Sequence, residues 1–263
     1  MKQDNKYTVI TGASSGIGYE TAKAFAKRGK NLVIVARNKD NLEKLKTEIL
    51  NDNSSLNVIV KDTDLSIIKN VYKLYQDLKP YKLETWINNA GFGDYDSVAN
   101  QNLEKIETML RLNVEALVIL SSLFVRDYQN IEGSKLINVS SAGGYIIVPT
   151  AVTYCASKFF VSTFTEGLAR ELEASNAKLQ AKVLAPAATR TNFGNVANNI
   201  EAYDYDKSFG TYHTSKEMAD FLLRLHDSCE VVGAISRESF EFELLSPLFN
   251  YAGNPKHNQS VIL

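Results

Sequence analysis

The 263-residue chain is predicted to fold as one α/β domain, a doubly wound parallel sheet with helices on both faces. Three observations predict it. Short apolar runs alternate with longer periodic stretches, a glycine-rich turn joins the first run to the first stretch, and polar residues with chemical potential gather just after the apolar runs. Parallel neighbours need a connection of helical length, so a repeated strand-helix alternation implies a parallel sheet covered on both sides. Ligands in such sheets bind at the carboxyl ends of the strands.

The elements follow in order. Residues 7–10, 31–35, 57–60, 85–87, 135–139 and 179–184 are short and rich in Val, Ile and Leu, which predicts strands. Residues 16–28, 39–50, 66–78, 103–126 and 154–173 are longer and periodic, which predicts helices, and 215–226 is a further one. Residues 192–213 are rich in Asn and Tyr and lack periodicity, so this stretch is either a substrate lid or a plain surface excursion. No repeat, linker or low-complexity tract divides the chain, and a single domain over residues 1–263 is the simpler reading.

Composition excludes several classes of function. With 29 Lys plus Arg against 30 Asp plus Glu, no global field recruits nucleic acid or an anionic membrane. Only Cys155 and Cys229 occur, too few for a disulfide framework, and they share no metal-ligand spacing with the three histidines. No metal site is expected. The polar start, Met1 to Tyr7, runs straight into the first strand, leaving no room for a signal peptide, and no run reaches the roughly 20 apolar residues of a membrane span. A cytoplasmic location is therefore expected. The apolar tail Val261 to Leu263 reads as a packed terminus rather than an anchor.

After the first strand comes Thr11-Gly12-Ala13-Ser14-Ser15-Gly16-Ile17-Gly18, opening into an Ala-rich helix that ends near Gly29. Glycines let the backbone turn sharply and approach a pyrophosphate, while the helix N-terminus offers unpaired amides. This turn resembles the T-G-x-x-x-G-x-G signature of the short-chain dehydrogenase/reductase family, and Asn88-Asn89-Ala90-Gly91 resembles that family's N-N-A-G element beside the adenine. The resemblance covers nearly the whole chain. It implies a Rossmann-type domain that binds a nicotinamide dinucleotide, with Gly12, Ser14, Ser15, Gly16, Ile17, Gly18, Asn89, Ala90 and Gly91 around it. It also implies that Asp64, followed by Leu65, hydrogen-bonds the adenine amino group. Asp64 or Ser66 could instead cap the following helix.

The family's Tyr-x-x-x-Lys signature selects nothing by itself. Five such pairs occur: Tyr19/Lys23, Tyr75/Lys79, Tyr154/Lys158, Tyr203/Lys207 and Tyr212/Lys216. A proton donor must sit at the carboxyl edge of the sheet beside a group that orients the substrate oxygen. Only Tyr154 has a serine thirteen positions earlier, Ser141, directly after a strand; Ser140 is the alternative at fourteen. Lys158 lies one helical turn from Tyr154, and a cation held close lowers a phenol whose ordinary pKa is about 10.

The resemblance further implies that Lys158 and Tyr154 also contact the nicotinamide ribose, that Ser141 donates to the substrate oxygen, and that Asn113 completes a proton relay. Asn113 interrupts an apolar helix and could equally be a satisfied core amide. After the sixth strand the chain reads Pro186-Ala187-Ala188-Thr189-Arg190-Thr191, where the family usually has Pro-Gly. Alanine is mild there at negative φ and strained at positive φ. Pro186, Thr189 and Thr191 are expected near the nicotinamide and the pyrophosphate.

An NAD enzyme of this architecture carries an acid about 20 residues past the glycine turn. Here Val33-Ile34-Val35-Ala36-Arg37-Asn38 has none, and Arg37 with Ser14 can pair with a 2′-phosphate. The expectation is an NADP-dependent carbonyl reductase or alcohol dehydrogenase acting on a small molecule. A non-catalytic NADPH-sensing regulator is the alternative. Residues 103–126 and 154–173 resemble the family's subunit-interface helices, which implies a homodimer or homotetramer. Phe92, Tyr145, Phe193 and Tyr205 are candidates for an apolar substrate wall.

Overall fold

The computed structural model describes residues 6–252. The terminal readings on Met1 to Asn5 and on Val261 to Leu263 lie outside them. In chain order the main elements are β1 (Lys6–Thr11), α1 (Gly16–Lys27), β2 (Asn31–Ala36), α2 (Lys39–Asp52), β3 (Val58–Asp62), α3 (Ile68–Leu78) and β4 (Lys82–Asn88). Next come α4 (Leu103–Leu110), a π-helical turn (Arg111–Ala116), α5 (Leu117–Tyr128), β5 (Lys135–Val139), a 3₁₀ turn (Ala142–Gly144), α6 (Val152–Ala174) and β6 (Gln180–Ala185). The rest is β7 (Thr189–Arg190), α7 (Phe193–Asn198), α8 (Tyr205–Ser208), β8 (His213–Thr214), α9 (Ser215–Asp227), β9 (Val232–Ile235) and β10 (Phe242–Leu245).

The main sheet runs β3-β2-β1-β4-β5-β6-β9-β10 and is parallel except that β10 is antiparallel to β9. The chain leaves β1 toward β3 on one side and returns to β4 on the other. β1 and β4 therefore splay their connections apart and open a crevice at their carboxyl ends.

Alternation within the strands fills both faces. Ile10, Leu32 and Ile34 join Phe25, Leu42 and Met218 under α1, α2 and α9, while Val9, Val33, Val35 and Trp86 join Leu74, Leu120 and Phe124 on the opposite face. Each buried Leu or Ile contributes about 1.5–3 kcal/mol. This two-faced burial makes the runs read as continuously apolar.

Three sequence readings need correction. The helix expected over residues 66–78 begins at Ile68 with no side-chain cap, because Asp64 instead accepts from Ser66 N at 2.9 Å and Ser66 Oγ at 2.6 Å in a tight turn of its own. The stretch expected as one helix over 103–126 is broken by the π turn. That same stretch, Leu103–Tyr128, is 26 residues and by length and composition alone could cross a membrane, contrary to the reading that no run qualifies. Ala116, Leu120 and Phe124 are packed into the core beside the sheet, which accounts for its apolar character.

Sequence periodicity missed β9 and β10, which are four residues each, and the short helices α7 and α8 within residues 192–213.

Candidate active site

A cavity of about 920 Å³ opens along the carboxyl ends of β1 to β6. At one end lies the glycine turn. Gly12 takes φ +68° and Gly16 φ +57°, a region that L side chains rarely adopt. A Cβ on Gly12 would sit 2.8 Å from Asn89 Nδ2 and 2.9 Å from Ala90 Cα, so the turn is pressed against the loop after β4. Thr11 and Asn89 fasten that contact. Thr11 Oγ1 accepts from the Asn89 and Ala90 amides at 3.0 Å, and Asn89 Nδ2 donates to Thr11 O at 3.0 Å and Gly12 O at 3.3 Å.

Ser15 caps α1 with its backbone alone, leaving its hydroxyl and the first-turn amides for an anion. Arg37 stands exposed at the end of β2, and Asn38, Asn41, Thr63, Asp64 and Leu65 complete this end of the cavity. Backbone amides, a guanidinium and an apolar slot between Leu65 and Ala90 form a donor set that fits a dinucleotide. Asn38, Asn41 and Thr63 were not foreseen, since isolated polar residues in turns carry no motif.

At the other end, Ser141, Tyr154 and Lys158 converge. Ser141 begins the 3₁₀ turn, its Oγ accepting from Gly143 N at 3.0 Å, and it lies beside the Tyr154 ring: a Cβ on Gly143 would fall 3.4 Å from Ser141 Oγ and 3.7 Å from Tyr154 Cε1. Ser140 is ruled out as the facing hydroxyl: it donates to Lys158 O at 2.9 Å and lies 2.7 Å from Ser162 Oγ, inside the fold. Lys158 Nζ donates to Val139 O at 3.0 Å and sits 5.9 Å from the centre of the Tyr154 ring.

The acid-base character differs from the expectation. Burial, then the neighbouring Tyr95, pushes the Tyr154 phenol well above its ordinary value, with the Ser141 hydroxyl pulling the other way. Burial lowers Lys158 to about 8. In this arrangement the desolvation of the phenol outweighs any help from the lysine.

Asn113 lies in the π turn and does not line the cavity; it is 1% exposed. Its Oδ1 accepts from Phe92 N at 3.2 Å, and its Nδ2 donates to Phe92 O at 2.9 Å and Ser157 Oγ at 3.3 Å. Its position is nonetheless adjacent to the lysine: a Cβ on Gly91 would fall 3.0 Å from Asn113 Oδ1 and 3.5 Å from Lys158 Nζ. The extra residue of a π turn swings the amide inward, a device common at functional sites.

Gly18 is likewise buried behind the cavity, where a Cβ would meet Asn89 Nδ2 at 2.5 Å. Pro186, Thr189 and Thr191 line the cavity, with Thr189 Oγ1 donating to Ala187 O at 2.9 Å and Thr191 Oγ1 accepting from Phe193 N at 3.1 Å. Ala187 is not among the residues with positive φ, so alanine stands there without strain.

Three of the four remaining tyrosine-lysine pairs lie outside the cavity. Tyr19 and Lys23 both engage Glu48, and Tyr75 donates to Leu123 O and Asp127 beneath the sheet. Tyr203 does line the cavity, in the segment that carries α7 and α8. Of the four aromatics proposed as a wall, Phe92, Phe193 and Tyr205 line it, whereas Tyr145 turns away to Glu166. Tyr95, which sequence reasoning missed, packs edge-on to Tyr154 at 6.0 Å.

The family model for short chain dehydrogenase matches residues 6–201. Dehydrogenase/reductase SDR family member 11 of Homo sapiens is 28% identical over 218 residues, 81% of this chain and 83% of that protein. Among solved structures, a short-chain dehydrogenase from Sphingobium yanoikuyae in complex with NADPH superposes with a TM-score of 0.78 at 29% identity, covering 89% of each chain. A bulky-bulky ketone specific alcohol dehydrogenase from Comamonas testosteroni gives 0.75 at 28% identity over 87% of this chain and 85% of that one. With its family match spanning most of the described residues, this chain belongs to the short-chain dehydrogenase/reductase family of oxidoreductases.

Proposed function

We propose that the protein is an NADP-dependent carbonyl reductase or alcohol dehydrogenase in which Tyr154 moves the proton. The observation that carries this reading is the meeting of Ser141, Tyr154 and Lys158 on one wall of a cavity whose far end holds Arg37 and the glycine turn. The nicotinamide, when bound, supplies or takes the hydride.

The protein's own residues do the rest. Ser141 orients the substrate oxygen against the Tyr154 hydroxyl. A phenol whose pKa is raised by burial is fully protonated at neutral pH, which suits it to donate to a carbonyl that is becoming an alkoxide. The positive charge of Lys158 steadies the phenolate left behind, and Asn113 holds the Phe92 backbone and the Ser157 hydroxyl next to the lysine as part of a relay. Gly12, Ser14, Ser15, Gly16 and Ile17 would hold the pyrophosphate, and Asp64, Leu65, Asn89, Ala90 and Gly91 the adenine side. Pro186, Thr189 and Thr191 would flank the nicotinamide.

Arg37 carries the preference for NADPH. It makes no hydrogen bond or ion pair among the described residues, and no carboxylate stands at the end of β2 to accept ribose hydroxyls. The NADPH held by the Sphingobium relative, similar over 89% of its length, supports the same reading. Residues 192–213 act as the substrate lid. The exposed ring of Phe160, stacked on Phe164 along an apolar groove of α6, supports assembly as a homodimer or homotetramer.

The test is a panel of carbonyl compounds followed by NADPH absorbance with wild type, Tyr154→Phe and Arg37→Asp. Tyr154→Phe should keep NADPH affinity and lose nearly all turnover, while Tyr75→Phe, whose ring lies beneath the sheet, should keep turnover. Arg37→Asp should erode or reverse the cofactor preference. Tighter NADH binding by the wild type, or full activity in Tyr154→Phe, refutes the corresponding assignment.

A further inference from the structure

We infer that the substrate is an uncharged, bulky ketone or its alcohol, with an aryl or alicyclic ring packed against the Tyr95 and Phe193 rings beside the Tyr154 hydroxyl. This rests on the reading of Tyr154 as the proton donor and adds the class of molecule that reaches it.

The rings of Tyr95, Tyr154 and Phe193 form a triangle with centroid separations of 6.0, 5.4 and 6.2 Å. All three line the cavity, and Phe92 packs beside them. Aromatic walls at these spacings present π faces and edges that favour another ring. The walls are also fixed in place. Tyr95 N donates to Ala197 O at 2.9 Å, tying the loop after β4 to α7. Lys105 strengthens the tie by donating to Val196 O at 2.9 Å and Asn199 Oδ1 at 2.7 Å, while its charge is met by the buried Asp94 at 2.6 Å. Gly93 permits the closest approach, because a Cβ there would lie 2.7 Å from Phe193 Cζ.

Among the described residues, Lys158 is the one charged group at this end of the cavity. Among the described residues, and apart from tyrosines, the ionisable side chains that line the cavity are Arg37, Asp64 and Lys158. The first two stand past β2 and β3 at the dinucleotide end, and Lys158 is turned to the Val139 carbonyl. Lys105, which reaches α7 from α4, is already paired with Asp94. A carboxylate or phosphate on the substrate would therefore enter without a counterion, and an unpaired ion in a closed apolar site is strongly disfavoured. The rim agrees: Val148 and Val196 line the mouth while remaining 37% and 40% exposed. Exposed apolar side chains around a concave site are the mark of an apolar ligand.

The experiment compares 2-acetylnaphthalene, methyl 6-acetyl-2-naphthoate, 6-acetyl-2-naphthoate and acetone. Turnover is measured with the wild type and NADPH, and binding by calorimetry on Tyr154→Phe saturated with NADP⁺. The neutral naphthyl ketones should exceed both the carboxylate and acetone by roughly 100-fold in kcat/KM, the scale that apolar and unpaired polar contacts impose on selectivity. Phe193→Ala should narrow the ratio of naphthyl ketone to acetone about tenfold or more, and Phe193→Leu, which keeps an apolar side chain, should narrow it less. Equal or better use of the carboxylate, equal use of acetone, or an unchanged ratio in Phe193→Ala overturns the inference. If no ketone is turned over but Tyr154→Phe binds 2-acetylnaphthalene and rejects the carboxylate, the hydride-transfer reading fails and the inference stands. If 2-acetylnaphthalene does not bind at all, the inference falls.

Discussion

Replacing Glu166 by alanine tests whether the loop that carries Ser141 is held in place from behind. Glu166 is 2% exposed on α6, two helical turns beyond Lys158. One carboxylate oxygen accepts from the Tyr145 hydroxyl at 2.6 Å, and the other accepts from Leu248 N at 2.6 Å and Phe249 N at 2.9 Å. The Tyr145 ring then stacks on Phe249 at 5.4 Å, so one acid joins the turn after Ser141, the long helix and the segment after β10. Burial first, and then this hydrogen bond, holds the Tyr145 phenol far above its ordinary value, which keeps it a donor at all working pH. Stranding a buried donor costs about 1–3 kcal/mol, and hydrogen bonds to a charged acceptor are at the strong end of the range. Leu248 is half exposed, so its amide can recover water, and the three losses should sum to about 3 kcal/mol rather than their full total. Urea unfolding of Glu166→Ala against wild type reads the number. Glu166→Gln, which keeps a neutral acceptor, should lose about half as much. Hydrogen exchange at Leu248 and Phe249 should accelerate in Glu166→Ala, and kcat should fall with the loosened Ser141 turn. A stability loss below about 0.5 kcal/mol, the level of an ordinary surface change, refutes the clamp.

Gly12→Ala should weaken NADPH binding about tenfold or more, a cost of about 1.4 kcal/mol, because the new Cβ meets backbone that Thr11 and Asn89 hold fixed. Gly29→Ala is its control: φ there is +77° but nothing lies within 4 Å, so stability should fall by about 1 kcal/mol with cofactor affinity unchanged. Lys182, fully buried on β6 and donating to Ser228 O and Glu230 O, is lowered to about 8 chiefly by burial and then by Lys135. Its unfolded value is near 10.4, so between about pH 8 and 10.4 the unfolded chain holds the extra proton and stability from this group rises with pH, while the cost of the buried charge is complete below pH 8. The unfolding free energy of wild type minus that of Lys182→Met should rise by about 2 kcal/mol from pH 7 to 9.5, and a flat difference would contradict this. Static light scattering should return a multiple of 29.3 kDa, whereas a mass near 29.3 kDa at micromolar concentration would rule out the assembly.

Much of this architecture is legible because strands buried on both faces, such as β2 with every residue buried, read as unbroken apolar runs. The glycine turn is legible for a different reason, since glycine takes the left-handed backbone of Gly12 and Gly16 at the least steric cost. What escaped depends on single-residue geometry or on contacts distant in sequence. The π turn at Asn113 adds one residue to a helix whose apolar pattern barely changes. β9 and β10 are only four residues long, too short for periodicity to register. Tyr95 carries no motif and gains its place only because Ala197 and Lys105 bring α7 across to it. The rise in the Tyr154 phenol was hidden because spacing reports that a lysine is near, whereas burial, which dominates the shift, is a property of the packed site.

Strand alternation explains how the site can be both fixed and reactive. At the end of β4, Asn88 points inward: its amide donates to Asn138 Oδ1 at 2.9 Å and Ser121 Oγ at 3.0 Å, and its oxygen accepts from Trp86 Nε1 at 2.8 Å. Asn138 in turn donates to Thr165 on α6 at 2.9 Å. Every bond in this buried network is made, so it acts as a rigid brace across β4, β5, α5 and α6 rather than a liability. One residue further along the chain, Asn89 faces the other way and fastens the glycine turn. The same step occurs after β5. Ser140 is spent on Lys158 O and Ser162, locking α6 to the sheet at the height of the lysine, and Ser141 is thereby turned to Tyr154. Adjacent residues of one chemical type thus divide the work, because successive side chains of an extended chain point to opposite sides. A doubled Asn or Ser at the carboxyl end of a strand therefore carries one residue that braces the site and one that serves it. The Ser140 and Ser141 hydroxyls, equivalent by composition, are separated by that geometry alone.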